Sequence, residues 1–385
     1  MKIAYLGTLI SSDSDFPLIR ELQKKKQEMI VYFSAEGEQT RGGIFSLKNV
    51  KKVDAIIPAS EYEEFRAWSD YFDISNMYIV NNYHRKLYDI RSWLIWIKFI
   101  IHVKKQKVDA FHFVWPFRRQ KMLLFFLRIK KVMTVHDPIP HSSQVTRSEE
   151  FVRRWSFRDS RKLLLLSSAL KEEFIATYKL PREKVCLSRF GYYDWVDHYK
   201  SKTENNKLIP YIAFCGQIQS HKGVDVLLKA MVEVHKVNPA LKCVVAGSGS
   251  FYFDIKPYKE LDYIEIRNSF IEMGEMVDLV RNSLFTVCPY KDATQSGIVQ
   301  ITLSSGIPMI VTNVGSLPSS VKDGVTGLVV PPSDVDALAK AIIRLSSDDE
   351  LITEFKNNIE TQWKSQQGWD EVGRDYVEMY ESLSS

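Results

Sequence analysis

Residues 285–334 place glycines at the joints of short apolar runs, a pattern suited to holding an anion. An apolar β-type run, 284–288, stops at Pro289-Tyr290, and a polar loop from Lys291 to Ser296 follows. Gly297 then opens the segment Ile298-Val299-Gln300-Ile301-Thr302-Leu303, which ends at Gly306 and Pro308. Strand, turn, helix and strand alternate in this way. A glycine at a helix opening lets backbone N–H groups approach an anion, and the helix N-terminus adds roughly half a positive charge. The chemistry is that of a diphosphate seat. A second candidate is His136, which with Asp137 closes an apolar run beginning at Lys131. Ligands gather at such strand ends in doubly wound sheets.

The elements that must position these residues alternate along the whole chain. At 385 residues, 45% of them hydrophobic, two globular domains are expected. Residues 1–6 read as the first strand, 16–26 as a helix, and 29–33 and 53–58 as further strands. Residues 88–107 read as a long helix with Ile90, Trp93, Leu94, Ile97, Ile100 and Ile101 on one broad face, expected to pack mainly against the sheet. Strands at 109–114 and 131–138 flank a helix at 121–129, and 163–168 and 185–190 complete the set. A polar stretch, 199–207, reads as a linker. Strands at 211–216, 241–246 and 264–266 then lead to the central stretch, and helices at 335–345, 349–358 and 369–383 close the chain. Strand-helix alternation of this kind predicts α/β domains with doubly wound parallel sheets.

Several motifs occur in one order: Ser296-Gly297-Ile298-Val299, Gly306-Ile307-Pro308, Asn313-Val314-Gly315, Asp323-Gly324-Val325-Thr326-Gly327 and Pro331-Pro332-Ser333-Asp334. Together they resemble the donor-site signature of retaining glycosyltransferases of family four. The resemblance spans most of the chain and is strongest over 211–334. It implies a GT-B fold, two Rossmann-like domains facing across a cleft: residues 1–203 on the acceptor side, 204–367 on the nucleotide-sugar side, and a terminal helix, 368–385, crossing back. It implies a nucleotide diphosphate sugar as donor, a uridine nucleotide being the commonest, a glycan or lipid-linked acceptor, retained anomeric configuration, and no cofactor or metal. It assigns Lys222 to the diphosphate, His136 to the acceptor or transferred sugar, Asp137 and Gly7 to the acceptor side, and Gly216, Gln217, Gly247, Gln295, Ser296, Gly297, Ile298, Val299 and Thr302 to the donor.

The chain departs from that pattern twice. Gln217 stands where the family commonly has an arginine, and the paired glutamates are absent: counting from Gly297 puts Thr294 and Thr302 in their places, and counting from Gly306 puts Ala293 and Ile301 there. No Asp or Glu occurs between Ala293 and Asn313. A carboxylate accepting from sugar hydroxyls is roughly twice as strong as a neutral acceptor. Either Gln295, Ser296, Gln300 and Thr302 take over the hydroxyl contacts, or donor binding is weakened; the rival function is a catalytically silent scaffold that holds a glycan or another transferase.

Charge and cysteine usage set the surroundings. Residues 1–200 carry 35 Lys and Arg against 23 Asp and Glu, a net +12, and the remainder carries 17 against 24, a net −7. The basic half suggests an anionic partner, such as a membrane surface, and no nucleic-acid motif accompanies it. The four cysteines lie far apart without metal-ligand spacing, which suits buried thiols in a reducing cytoplasm. No run reaches the roughly 18 apolar residues of a membrane span. The expected place of work is cytoplasmic, at the inner face of the plasma membrane.

Overall fold

A computed structural model describes residues 1–37, 43–44, 46–47, 50–139, 146–166, 168, 170–199, 210–293 and 296–384. The chain forms two compact units, Met1–Gly191 with Gly368–Ser385, and Tyr192–Gln367.

The first unit is built on eight strands: β1 (Lys2–Thr8), β2 (Glu28–Glu36), β3 (Ala55–Pro58), β4 (Met77–Asn82), β5 (Ala110–Phe113), β6 (Lys130–Val135), β7 (Lys162–Leu165) and β8 (Val185–Leu187). Their order is β3-β4-β2-β1-β5-β6-β7-β8. All neighbours are parallel except β3 and β4, an antiparallel pair at one edge. Apolar residues on both faces of β1, β2 and β5 are buried, as a sheet covered by helices on either side requires.

The helix Ile90–Lys105 begins at Asp89, whose carboxylate accepts from the Arg91 N–H at 3.0 Å, and ends in His102, Lys104 and Lys105. Both features suit the helix dipole and its unpaired end groups. Its buried row is Ile95, Trp96, Phe99 and Val103. Ile90, Leu94, Ile97 and Ile101, expected to pack on the sheet, are instead exposed. The helix carries two apolar rows, and the one with the larger aromatic rings takes the sheet-facing position because it removes more area from water. The segment expected as a helix at 121–129 is a 3₁₀ stretch, Arg119–Phe126.

The terminal helix Trp369–Glu381 is part of this unit. Tyr380 Oη lies 2.6 Å from His112 Nδ1, and Tyr376 Oη lies 3.2 Å from Thr134 Oγ1. A Cβ on Gly191 would fall 2.3 Å from the Trp369 ring.

The second unit carries β9 (Tyr211–Cys215), β10 (Lys242–Ala246), β11 (Ile264–Arg267), β12 (Thr286–Cys288), β13 (Met309–Thr312) and β14 (Gly327–Val330). All pairs are parallel, in the order β11-β10-β9-β12-β13-β14. Counted within the unit, this is the doubly wound order 3-2-1-4-5-6, and its direction reverses between β9 and β12. The unit begins earlier than the expected 204. Tyr193 already donates its N–H to Ser304 Oγ at 2.7 Å, and Arg281 pairs with Asp197. Most of the expected linker, 200–207, lies outside the described residues.

All four cysteines are free thiols. Among the described residues no helix is long and apolar enough to cross a membrane.

Candidate functional site

The reversal of strand order makes the carboxyl ends of β9 and β12 the place to look for a ligand. Beyond their ends β9 and β10 keep pairing: Gly216 N–H donates to Ala246 O at 2.9 Å, and Ile218 N–H to Ser248 O at 3.0 Å. Gly247, at φ +142°, could not carry a Cβ, which would fall 1.9 Å from Gly216 O, and its N–H donates to Arg267 O. Gly247 therefore lets the two loops lie against each other, and the N–H groups of both Gly216 and Gly247 are bonded within the chain. The loops line an open groove of about 560 Å³ with Gln217, Ser248, Ser250 and Tyr252 among its walls. Gln217 is exposed and its Oε1 accepts from Gln219 Nε2 at 3.0 Å.

The turn after β9 is pinned against the end of β12. Gly223 sits at φ +69°, and a Cβ there would lie 1.9 Å from Pro289 O. In this position only glycine fits. The contact brings Lys222 over the ring of Tyr290, with Nζ 3.8 Å from the centroid. Tyr290 is 1% exposed and its hydroxyl lies 3.0 Å from Ser296 Oγ. Burial pushes the Tyr290 hydroxyl pKa well up and moves the Cys288 thiol to about 12, so both are neutral near pH 7. Among the described residues no carboxylate pairs with Lys222, whose own pKa is lowered by burial. Lys291, on the same loop as Tyr290, is by contrast matched by Asp225 at 2.9 Å. A half-buried ammonium held on an aromatic face without a counter-ion is a seat for an anion.

The helix Gly297–Ser304 opens beside these groups in sequence and bond. Ile298 and Val299 are buried. Val299 N–H turns back to Ser296 O, while the N–H groups of Gly297 and Ile298 meet no acceptor among the described residues. A Cβ built on Gly297 meets nothing within 4 Å. Neither crowding by the described residues nor a left-handed backbone requires a glycine here.

Thr302, expected to bind the donor, is fully buried, and its Oγ1 lies 3.2 Å from Thr286 Oγ1 of β12. The helix turns it onto the sheet, so it cannot replace a missing glutamate. Gln295 and Thr294 lie outside the described residues.

In the first unit His136 follows β6 and stacks on Trp115, ring centroids 5.3 Å apart and planes at 14°. Its Nε2 is buried without a hydrogen-bond partner among the described residues, and burial lowers its pKa to about 4. The ring is therefore a neutral imidazole near pH 7, able to donate or accept one hydrogen bond and carrying no charge. Asp137 is exposed, with Arg153 at 4.0 Å. Gly7, expected in a loop on the acceptor side, lies inside β1 paired with Phe33. A Cβ there would fall 2.4 Å from Asp15 Oδ2, so its smallness makes room for a buried carboxyl. Asp15 accepts from Tyr5 Oη at 2.8 Å and Ser11 Oγ at 3.0 Å. It borders a cavity of about 20 Å³ together with His136 and Arg189.

Sequence reasoning missed Tyr290 and Asp15. Tyr290 appeared only as a strand breaker, although its place just past the fourth strand of the unit was the available signal. Asp15 gave none, because its burial depends on Gly7 and Tyr5 across the β1–helix packing.

Residues 196–362, which lie within the second unit, match the family described as glycosyl transferases group 1. The chain is 26% identical over 240 residues to an uncharacterized glycosyltransferase of Methanocaldococcus jannaschii, covering 58% of this chain and 60% of that protein. It is 23% identical to the O-antigen chain mannosyltransferase C of Escherichia coli, covering 78% and 83% respectively. It thus spans somewhat under two thirds of the first relative's length. Among solved structures, Anabaena HepE in complex with UDP superposes with a TM-score of 0.64 at 14% identity, over 99% of this chain and 100% of that one. A UDP-GlcNAc 2-epimerase from Neisseria meningitidis bound to UDP-GlcNAc gives 0.62 at 16%, over 100% and 99%. The fold is GT-B, two Rossmann-like units with parallel sheets.

Proposed function

We propose, from the premise of a group 1 glycosyltransferase domain in residues 196–362, that the chain transfers a sugar from a nucleoside diphosphate donor to a hydroxyl of a glycan or lipid-linked acceptor. The observation that carries this is Lys222, an ammonium on the Tyr290 ring without a carboxylate partner among the described residues, at the reversal of strand order. As the bond from the sugar to the diphosphate breaks, negative charge grows on the leaving phosphate. Lys222 and the N–H groups at Gly297 and Ile298 would stabilise that charge. No carboxylate stands in the segment between Ala293 and Asn313 to act as a covalent nucleophile, so attack on the face of departure, with the leaving phosphate taking the acceptor proton, fits retention of configuration. The neutral imidazole of His136 orients the acceptor or the sugar by a hydrogen bond.

The donor is read as a nucleotide sugar because HepE and the Neisseria epimerase, which share the fold, were solved with UDP and UDP-GlcNAc. A role in surface polysaccharide synthesis follows the E. coli relative's name. The +12 charge of residues 1–200 and the exposed row Ile90, Leu94, Ile97 and Ile101 favour an anionic membrane surface as the place of work. In an assay of sugar transfer or donor hydrolysis, His136→Ala and Lys222→Ala are each expected to lower turnover by about tenfold or more, with folding unchanged. Wild-type rates in both would remove these assignments.

Gln217 in place of an arginine, with its amide engaged by Gln219, favours a second reading: a scaffold that binds nucleotide or glycan without turnover. Nucleotide binding without any donor hydrolysis or transfer would select it.

A further inference from the structure

At the N-terminal ends of β6, β7 and β8 lies a cavity of about 780 Å³ whose walls carry seven Lys and Arg side chains and two carboxylates. It stands at the opposite end of β6 from His136, roughly 20 Å away by strand length. It therefore has no part in positioning the acceptor through that histidine.

The cations divide into two groups by what they already hold. The lysines are committed to main-chain oxygens: Lys131 Nζ reaches Leu127 O at 2.6 Å and Asp159 at 3.1 Å, Lys184 Nζ reaches Arg158 O at 2.9 Å, and Lys162 Nζ reaches Glu183 O at 2.8 Å. Lys130 bonds Leu383 O. These contacts satisfy carbonyls left over at the ends of helices and strands. Arg128, Arg158 and Arg161 are exposed, and among the described residues none of them has a hydrogen-bond acceptor or a carboxylate partner. Lys184, beside them, has its pKa lowered chiefly by burial, with the Asp159 carboxylate raising it and the Arg161 charge lowering it. Three free guanidinium forks around one cavity match the oxygens of phosphate groups, which they bind in pairs.

The rim has a second character. Phe125 and Leu127 line the cavity, and Phe126 beside them is 74% exposed. On the helix Arg147–Asp159 the exposed ring of Phe151 stands four residues before that of Trp155, and Trp155 three before Arg158, one continuous stripe running to the cavity. Trp155 also packs on Phe125, with centroids 5.5 Å apart. Aromatic rings beside free arginines suit the boundary between lipid headgroups and acyl chains.

We propose that this cavity is a phosphate-binding site of the first unit, filled by the phosphates of anionic lipid headgroups or by free phosphate. It stands whether or not the second unit transfers sugar. The test compares wild-type protein, a variant reversing Arg128, Arg158 and Arg161 to Glu, and a control reversing the exposed Lys52, Arg66 and Lys340 to Glu. Each is floated with phosphatidylcholine vesicles with and without phosphatidylglycerol. Each is also titrated with pyrophosphate in a Lys222→Ala background, which removes the diphosphate seat proposed for the second unit.

Wild type and control are expected to bind at least one probe, and the arginine variant to lose about tenfold or more in affinity with an unchanged melting temperature. Vesicle binding lost at about 0.5 M salt identifies headgroups as the source, and pyrophosphate binding without vesicle binding identifies free phosphate. No binding of either probe by wild type, or equal loss in the arginine variant and the control, would overturn the proposal. Should the arginine variant unfold, Arg128→Gln and Arg161→Gln singly provide the same comparison.

Discussion

At the scale of single residues, glycines separate structure from function. Gly223 and Gly297 both stand at helix openings in the second unit, yet only Gly223 is required by the chain itself, at φ +69° with Pro289 O where a Cβ would be. Gly223→Ala is expected to cost about 1–3 kcal/mol of stability, since a strained backbone is joined to a steric clash. Gly297→Ala should leave stability within about 0.5 kcal/mol of wild type, because its Cβ meets nothing. The same change should weaken nucleoside diphosphate binding by about tenfold or more, as a methyl group stands between the ligand and the helix N–H groups. Thermal denaturation paired with calorimetry on both variants checks this, and equal stability losses would contradict it. The motif around Gly297 was readable in the sequence because its spacing is local. The fates of Gly7 and Thr302 were not. One makes room for a carboxyl eight positions on, the other turns onto a strand sixteen positions earlier, and such partners appear only once the chain is packed.

At the scale of elements, alternation of strand and helix gave the parallel sheets, since the apolar runs of buried strands and their glycine or proline ends are local signals. The outward face of Ile90–Lys105 was misread because both of its rows are apolar, and ring size decided between them. β4 was passed over, and with it the antiparallel edge. The junction of β1 with the helix Ser12–Lys24 carries its own pH dependence. Burial raises the Asp15 carboxyl to about 8, against hydrogen bonds from Tyr5 and Ser11 that lower it. An unfolded chain releases this proton near pH 4, whereas the folded chain keeps it up to about pH 8. Between those values the folded state binds the extra proton, so stability falls as pH rises, by at most about 1.4 kcal/mol per pH unit from this group. Asp15→Asn is expected to flatten that slope and to be more stable than wild type at pH 8. Denaturant titrations across pH 5–8 measure it, and a slope unchanged by the substitution would exclude Asp15 as its source.

At the scale of the whole molecule, the chain returns at its end to the unit where it began. Deleting residues 368–385 removes Tyr380 from His112, Tyr376 from Thr134 and Trp369 from its place against Gly191. Loss of three buried aromatic residues should destabilise the first unit by on the order of 5 kcal/mol or more. Scanning calorimetry of the truncated chain should show that unit's transition lowered while the second unit's remains. The GT-B fold does not by itself choose the reaction, as an epimerase superposes over the same length. Transfer and epimerisation of a nucleotide sugar alike need a seat for its diphosphate, and the proposed function puts that seat at Lys222. Isothermal titration of the full chain with UDP, GDP and ADP, beside the Lys222→Ala variant, tests this most directly. Saturable heat with at least one of the three, reduced about tenfold or more in affinity by the substitution, is the expected result. No heat with any of them, or the same affinity without the lysine, would contradict the account.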